Sequence, residues 1–240
     1  MQPQLGVLGL IAQTFRLLAA NLGTLFPLAF VPALVAALLR WAVAPDLPPD
    51  AETLPVPTAP EIAVGLFEAL IGFFIMGFMS LASLDAVLGK RHTVGEYTAQ
   101  TVRHIVPIVV LGLLISIAIG VGTLLLIVPG IYIAARYLPW IQAVVFENAG
   151  WSGLGRAGEL TEGYRWPLAG GLVVMGVMVV LISLLAAFLM QGGGLVAVLV
   201  NAILTAVYYA LIGIFTALVY ARLREIKEGL SIPQIAALID

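Results

Sequence analysis

The length of its apolar runs constrains this chain more than anything else: from Ile105 to Gly130 no charged residue interrupts the sequence. A helix needs about 20 apolar residues to cross roughly 30 Å of hydrocarbon, and several stretches meet that demand. Only 10% of the 240 residues are charged, against about 25% in soluble domains. Hydrophobic residues make up 62% and the mean hydropathy is +1.11. One globular core could not hide that much apolar surface. The composition predicts an integral membrane protein, all-α and polytopic.

Little polar chain remains for anything else. The longest connection, 44–60, carries Pro45, Pro48, Pro49, Pro55, Pro57 and Pro60, which favours an extended surface loop over a folded unit. No soluble catalytic domain fits, and no enzyme activity is expected. Cysteine is absent, which excludes disulfides, Cys-ligated zinc and thiol catalysis. A net charge of −2 gives no pull toward nucleic acid. The N-terminus lacks a basic segment and Arg16 interrupts the first apolar stretch, so it does not read as a cleaved signal peptide.

Hydropathy predicts six transmembrane helices, near 22–43, 62–88, 105–127, 131–146, 167–190 and 195–221. Pro129-Gly130 and Gln191-Gly192-Gly193-Gly194 supply tight turns. One set of connections carries Arg16, Lys90, Arg91, Arg103, Arg156, Arg165, Arg222, Arg224 and Lys227; the other carries Arg40 with Asp46, Asp50, Glu52 and Glu61. Lys/Arg bias of this kind orients membrane proteins, so both termini are expected on the cytoplasmic side of the membrane.

Each pair of spans follows an amphipathic stretch: Leu5–Asn21, Thr93–His104 and Trp151–Trp166. The second opens with a capping-box pattern, Thr93-x-x-Glu96. A proline (Pro27, Pro107, Pro167) then enters each hairpin. These features predict three units, each an interfacial helix followed by a hairpin, within one membrane domain, 1–240. The units cover 1–88, 89–146 and 147–222, with a cytoplasmic tail over 223–240.

Charges inside spans mark candidate sites, each costing about 2.5–3.5 kcal/mol on insertion scales. Glu68 and Arg136 have matched depth and opposite sign, and are expected to form a buried ion pair. Asp85 reads as an interfacial charge within reach of Lys90 and Arg91. A small-residue stripe, Gly112, Ser116 and Gly120, marks the third span; a second, Ala197, Asn201, Thr205, Tyr209, Gly213, Ala217 and Ala221, marks the sixth. Such stripes permit close helix packing, within the chain or between copies. Arg156, Arg165, Arg222, Arg224 and Lys227 are expected to touch lipid headgroups or a partner. The two histidines, His92 and His104, have no further ligand-type spacing, so neither a metal nor a cofactor is expected.

Two segments carry a resemblance. One is Leu126-Ile-Val-Pro-Gly-Ile-Tyr-Ile-Ala-Ala-Arg136, continuing through Ala143-Val-Val-Phe-Glu147, Gly153-Leu-Gly-Arg156 and Leu160-Thr-Glu-Gly-Tyr-Arg-Trp166. The other is Val219-Tyr-Ala-Arg-Leu-Arg-Glu225. From the third span onward the chain resembles the six-span membrane domain of bacterial glycerophosphodiester phosphodiesterases and the YciC-like inner-membrane proteins. The resemblance implies fold and location; the phosphodiesterases' catalytic barrel is missing, so their activity is not implied. The expected role is a non-catalytic scaffold, accessory subunit or lipid-contacting protein, with membrane lipids and a protein partner or second copy as partners. The alternative is a small-solute transporter or channel built on Glu68 and Arg136.

Overall fold

The computed structural model describes residues 5–43, 58–90, 92–189, 194–231 and 234. Most of the Pro-rich loop and the turn at 190–193 lie outside them. The described residues form helices and no strands: α1 (Val7–Val43), α2 (Ala59–Leu88), α3 (Val94–Arg103), α4 (Ile105–Leu125), α5 (Ile127–Arg136), α6 (Trp140–Phe146), a 3₁₀ turn (Gly150–Ser152), α7 (Gly153–Leu160), α8 (Arg165–Leu189) and α9 (Gly194–Glu228). Five of these, α1, α2, α4, α8 and α9, are long and apolar enough to cross a membrane. Their outer faces remain greasy: Leu113, Leu114, Ile117 and Val121 of α4, and Val177, Val180, Leu181 and Leu184 of α8, are all exposed. Contiguous apolar surface on this scale belongs against lipid or protein.

Local chemistry sets the helix boundaries. The first amphipathic stretch and the first span form one continuous helix, α1, kinked at Asn21 (φ −117°, ψ 17°). There the Asn21 amide donates to the Leu17 carbonyl at 3.0 Å, and Pro27 removes the N–H that would have bonded to Gly23. The capping box at Thr93 is present: the Glu96 carboxylate accepts from the Thr93 N–H at 2.6 Å, and Thr93 Oγ1 accepts from the Glu96 N–H at 3.3 Å. α2 ends at Gly89, whose φ of 72° is the left-handed conformation that only glycine adopts without strain.

The segment 131–146, expected as one crossing, is broken. The chain leaves α4 at Leu126, which is extended (φ −162°, ψ 142°), and α5 starts at once with Pro129 in its first turn, where a missing N–H costs little. Gly130 then packs directly on Thr123, with no room for a side chain. α5 stops at Arg136 because Pro139 cannot donate to the next turn, and α6 restarts at Trp140. The third amphipathic stretch is likewise split, into the 3₁₀ turn and α7; Trp151 is exposed, whereas Ala157, Leu160 and Tyr164 are buried.

The most extensive helix contact is between α1 and α9, with α2 packed against both. It is a seam of alanines. α1 buries Leu25, Ala29, Ala33 and Ala37, four residues apart, and α9 buries Val198, Ala202, Ala206 and Ala210 at the same spacing. The two rows meet where Ala37 packs with Val198 and Ala202. Small side chains let the helix backbones approach closely.

The small-residue stripes foreseen from sequence need correcting. On α9 the first half of the stripe is displaced by one residue, with Asn201 exposed and Ala197, Thr205 and Tyr209 half-buried beside the buried Val198, Ala202, Ala206 and Ala210. Its second half, Gly213, Ala217 and Ala221, is buried as expected. One residue is about 100° of rotation, enough to move a row onto another face. On α4 Gly112 is buried against Phe73, but Ser116 and Gly120 are exposed; the packed face is Ile108, Leu111, Gly112, Ile115 and Gly122.

Candidate functional site

Polar side chains gather where α6, α7 and the last turns of α9 meet. Glu147, just after α6, accepts from Arg156 Nε at 2.5 Å and from the Tyr220 hydroxyl at 2.9 Å. Arg156 also pairs with Glu228 of α9. Arg224 closes the network, donating to Glu228 at 2.8 Å and to the Tyr220 oxygen at 3.0 Å. Burial works against the Arg156 charge, but the hydrogen bonds to Glu147 and Glu228 outweigh it and hold the guanidinium above its ordinary pKa. Arg222 pairs with Glu225 at 2.5 Å, and Lys227 donates to the Glu159 carbonyl at 2.6 Å. Three of the five cations expected at lipid headgroups, Arg156, Arg222 and Arg224, are therefore neutralised by the protein's own carboxylates, and Lys227 is tied to a backbone carbonyl.

Arg165 differs from them. It opens α8, donates to the Gly158 carbonyl and the Tyr132 hydroxyl, each at 3.1 Å, and its Nε is buried without a partner. Arg136 approaches the same glycine: its Nε lies 3.4 Å from where a Cβ on Gly158 would sit. The Arg136 carbonyl accepts from Thr161 Oγ1 at 2.7 Å, which fixes the end of α5 against the α7–α8 turn. Neither guanidinium has a carboxylate within ion-pair reach among the described residues. Each instead stands over a tyrosine ring, Arg136 over Tyr137 and Arg165 over Tyr132. The exposed Trp166 lies beside Tyr132, with ring centroids 5.4 Å apart. Two guanidiniums thus meet at one glycine, with an exposed indole beside them.

The expected Glu68–Arg136 pair is not formed. Glu68 binds Arg40, whose Nε donates to both carboxylate oxygens, at 2.8 and 2.9 Å. Depth had been matched between two hairpins, yet Arg40 and Glu68 are brought together by the α1–α2 contact within the first, while Arg136 turns toward α7. Asp85 is also placed differently. It is buried at the end of α2 and accepts from the Tyr97 hydroxyl at 2.7 Å, with His92 Nδ1 at 2.5 Å. This anchors α3 on α2; burial, then the Asp85 bond, push the Tyr97 hydroxyl above its ordinary pKa. His104 contacts Asn148 and the Gln100 carbonyl. No group of three metal-ligating side chains occurs among the described residues.

Two polar features escaped the sequence argument. Gln142 of α6 is buried and donates to Thr216 of α9 at 2.8 Å, while its own oxygen and the Ser80 and Ser83 hydroxyls are buried without partners. Its place in the broken fourth segment hid it. The second is a cleft of about 460 Å³ between α8 and α9, whose polar lining is Ser183, Asn201, Thr205, Tyr208 and Tyr209. Asn201 and Thr205 had been assigned to a packed stripe, which concealed their common exposure to this space.

Comparison of the chain with family models, with curated proteins and with solved structures returns no match.

Proposed function

We propose that this chain is a non-catalytic, multi-pass protein of a bacterial inner membrane that holds anionic lipid headgroups through Arg136 and Arg165. One observation carries the proposal: two guanidiniums converge on Gly158 with no carboxylate to neutralise them. Arg40, Arg156, Arg222 and Arg224 are each matched to an acid, whereas Arg16 and Arg103, like Arg136 and Arg165, form no ion pair among the described residues. What sets Arg136 and Arg165 apart is that they share one glycine. A phosphodiester accepts paired N–H donors from guanidinium forks, and basic groups near an anionic membrane surface contribute about 1 kcal/mol each.

The same proposal includes six crossings as three hairpins with both termini cytoplasmic. The fourth crossing is then the broken segment 127–146. α5, at 10 residues, covers about 15 Å, roughly half the hydrocarbon. Arg136 at its end therefore lies below the headgroup plane and meets a phosphate by extending its long side chain while the headgroup dips toward it. α6 continues after the Pro139 turn. The Lys/Arg distribution supports the orientation, and the resemblance to the phosphodiesterase membrane domain and YciC-like proteins supports the location. The ionic network of Glu147, Arg156, Arg224 and Glu228 would serve as a rigid cytoplasmic platform for a scaffold or accessory role. The transporter alternative loses its basis, since Glu68 and Arg136 do not share a site.

Native mass spectrometry from nanodiscs of mixed phosphatidylglycerol and phosphatidylcholine tests this. The wild type is expected to carry phosphatidylglycerol preferentially, and R136Q/R165Q to lose that preference while remaining folded. Equal retention of both lipids by the wild type, or an unchanged preference in the double variant, would contradict it.

A further inference from the structure

α8 and α9 touch sparingly along most of their length, and the cleft between them holds side chains that a lipid-facing surface should not contain. Asn201 is exposed, Tyr208 is 44% exposed, and Ser183 is exposed. With Thr205 and the Tyr209 hydroxyl, they have no hydrogen-bond partner among the described residues. These positions lie in the stretch of α9 whose neighbouring face packs Val198 and Ala202 against Ala37 of α1, within an apolar helix long enough to cross a membrane. In hydrocarbon an unsatisfied hydroxyl or amide is strongly disfavoured. The Tyr209 hydroxyl is turned to Gly72 of α2, but four such groups, on Ser183, Asn201, Thr205 and Tyr208, line one space and imply a ligand that satisfies them.

The lining defines the ligand. It contains no Asp, Glu, Lys or Arg among the described residues, so a charged headgroup would enter uncompensated. Hydroxyls and one carboxamide both donate and accept, which matches a head carrying hydroxyl and carbonyl oxygens. The remaining wall, Val179, Ile182, Leu204 and Leu211, suits a hydrocarbon tail. The volume of about 460 Å³ falls within the roughly 300–1,000 Å³ of small-molecule sites. We infer that the α8–α9 cleft binds an uncharged lipid of the diacylglycerol type, its glycerol hydroxyl and ester carbonyls hydrogen-bonded by Asn201, Thr205 and Tyr208. The inference rests on the membrane-spanning reading above but not on Arg136 or Arg165.

The probe is 1,2-dioleoylglycerol, added to the purified full chain in mixed micelles beside an equal amount of dioleoylphosphatidylglycerol, with bound species read by native mass spectrometry. The wild type is expected to hold one dioleoylglycerol. N201L/T205V, which removes polar groups without protein partners and so leaves packing intact, is expected to bind it at least ten-fold more weakly. Y208F should weaken it less, and R136Q/R165Q should leave it unchanged while losing phosphatidylglycerol. The inference is overturned if the wild type takes no dioleoylglycerol, or if N201L/T205V binds it as before. It is also overturned if that variant loses a dimer instead, since the polar groups would then face a second copy. Loss of phosphatidylglycerol selectivity with dioleoylglycerol intact would affect only the headgroup site.

Discussion

On one side of α9, Val198, Ala202, Ala206 and Ala210 are sealed against α1; on the other, Asn201, Thr205 and Tyr208 open into a cleft with α8. The same helix thus does two kinds of work within a few turns. Its alanine side gains from contact between backbones and tolerates no added volume. Its cleft side keeps polar atoms that packing does not use. The arginines show the same division, since Arg156 is neutralised by Glu147 and Glu228 whereas Arg136 and Arg165 are left to the tyrosines. Where polar groups are matched internally, the structure is explained by stability; where they are not, it points to a ligand.

The largest effect is expected at the seam. A206L forces a branched side chain into a position with 0% exposure, and overpacking costs about 1–3 kcal/mol or more. Thermal unfolding in detergent should show a clear loss for A206L and little change for N201L; equal losses would erase the distinction between the faces. The next effect is at Glu147. E147A strips Arg156 and Tyr220 of a shared acceptor, and a hydrogen bond to a charged group contributes about 1.5–3 kcal/mol. Partial exposure of this site lowers the expected loss to about 1–2 kcal/mol by the same measurement, and no loss would show that the network does not brace α6 against α9.

A smaller effect is expected for Arg40 and Glu68. The Arg40 side chain is 67% exposed, and exposed pairs contribute about 0–1 kcal/mol. A double-mutant cycle of R40Q and E68Q should give coupling in that range, and one of R136Q and E68Q none. Coupling in the second cycle would restore the pairing expected from sequence. The smallest effect is at Glu96, where the Thr93 N–H and hydroxyl hold the carboxyl below its ordinary 4.5. Its folded pKa is depressed, so its contribution to capping α3 is present above 4.5 and is lost as pH falls through the folded value. A carbon-detected titration of Glu96 should show a midpoint under 4.5; a midpoint at or above it would contradict the cap.

Much of this architecture was legible before the coordinates. Uninterrupted apolar runs announced the long helices, and Thr93-x-x-Glu96 marked the start of α3 within one residue. What sequence could not supply was azimuth. Depth alone matched Glu68 with Arg136, but a partner also needs the correct face, and Arg40 on the adjacent helix had it. The α9 stripe held over Gly213, Ala217 and Ala221 and was one position off over 197–209, because alanine rows and polar rows repeat at the same spacing of four. The break at Pro139 was overlooked because hydropathy averages over a turn without registering it. The proposed anion site is partly visible in the sequence: Arg165 stands among the candidate headgroup contacts, but Arg136 reads as a partner of Glu68, and Gly158 joins the two only through the fold.

The two faces of α9 can be compared directly, because the chain has no cysteine of its own. Single cysteines at each position from 198 to 210, spin-labelled in lipid nanodiscs, would report relaxation by dissolved oxygen along both faces. The account predicts peaks at 199, 201, 203 and 208, an intermediate value at 205, and minima at 198, 202, 206 and 210. A profile with minima at 197, 201, 205 and 209 would contradict it, as would a uniform one, because the cleft and the seam would then not occupy separate faces of the helix.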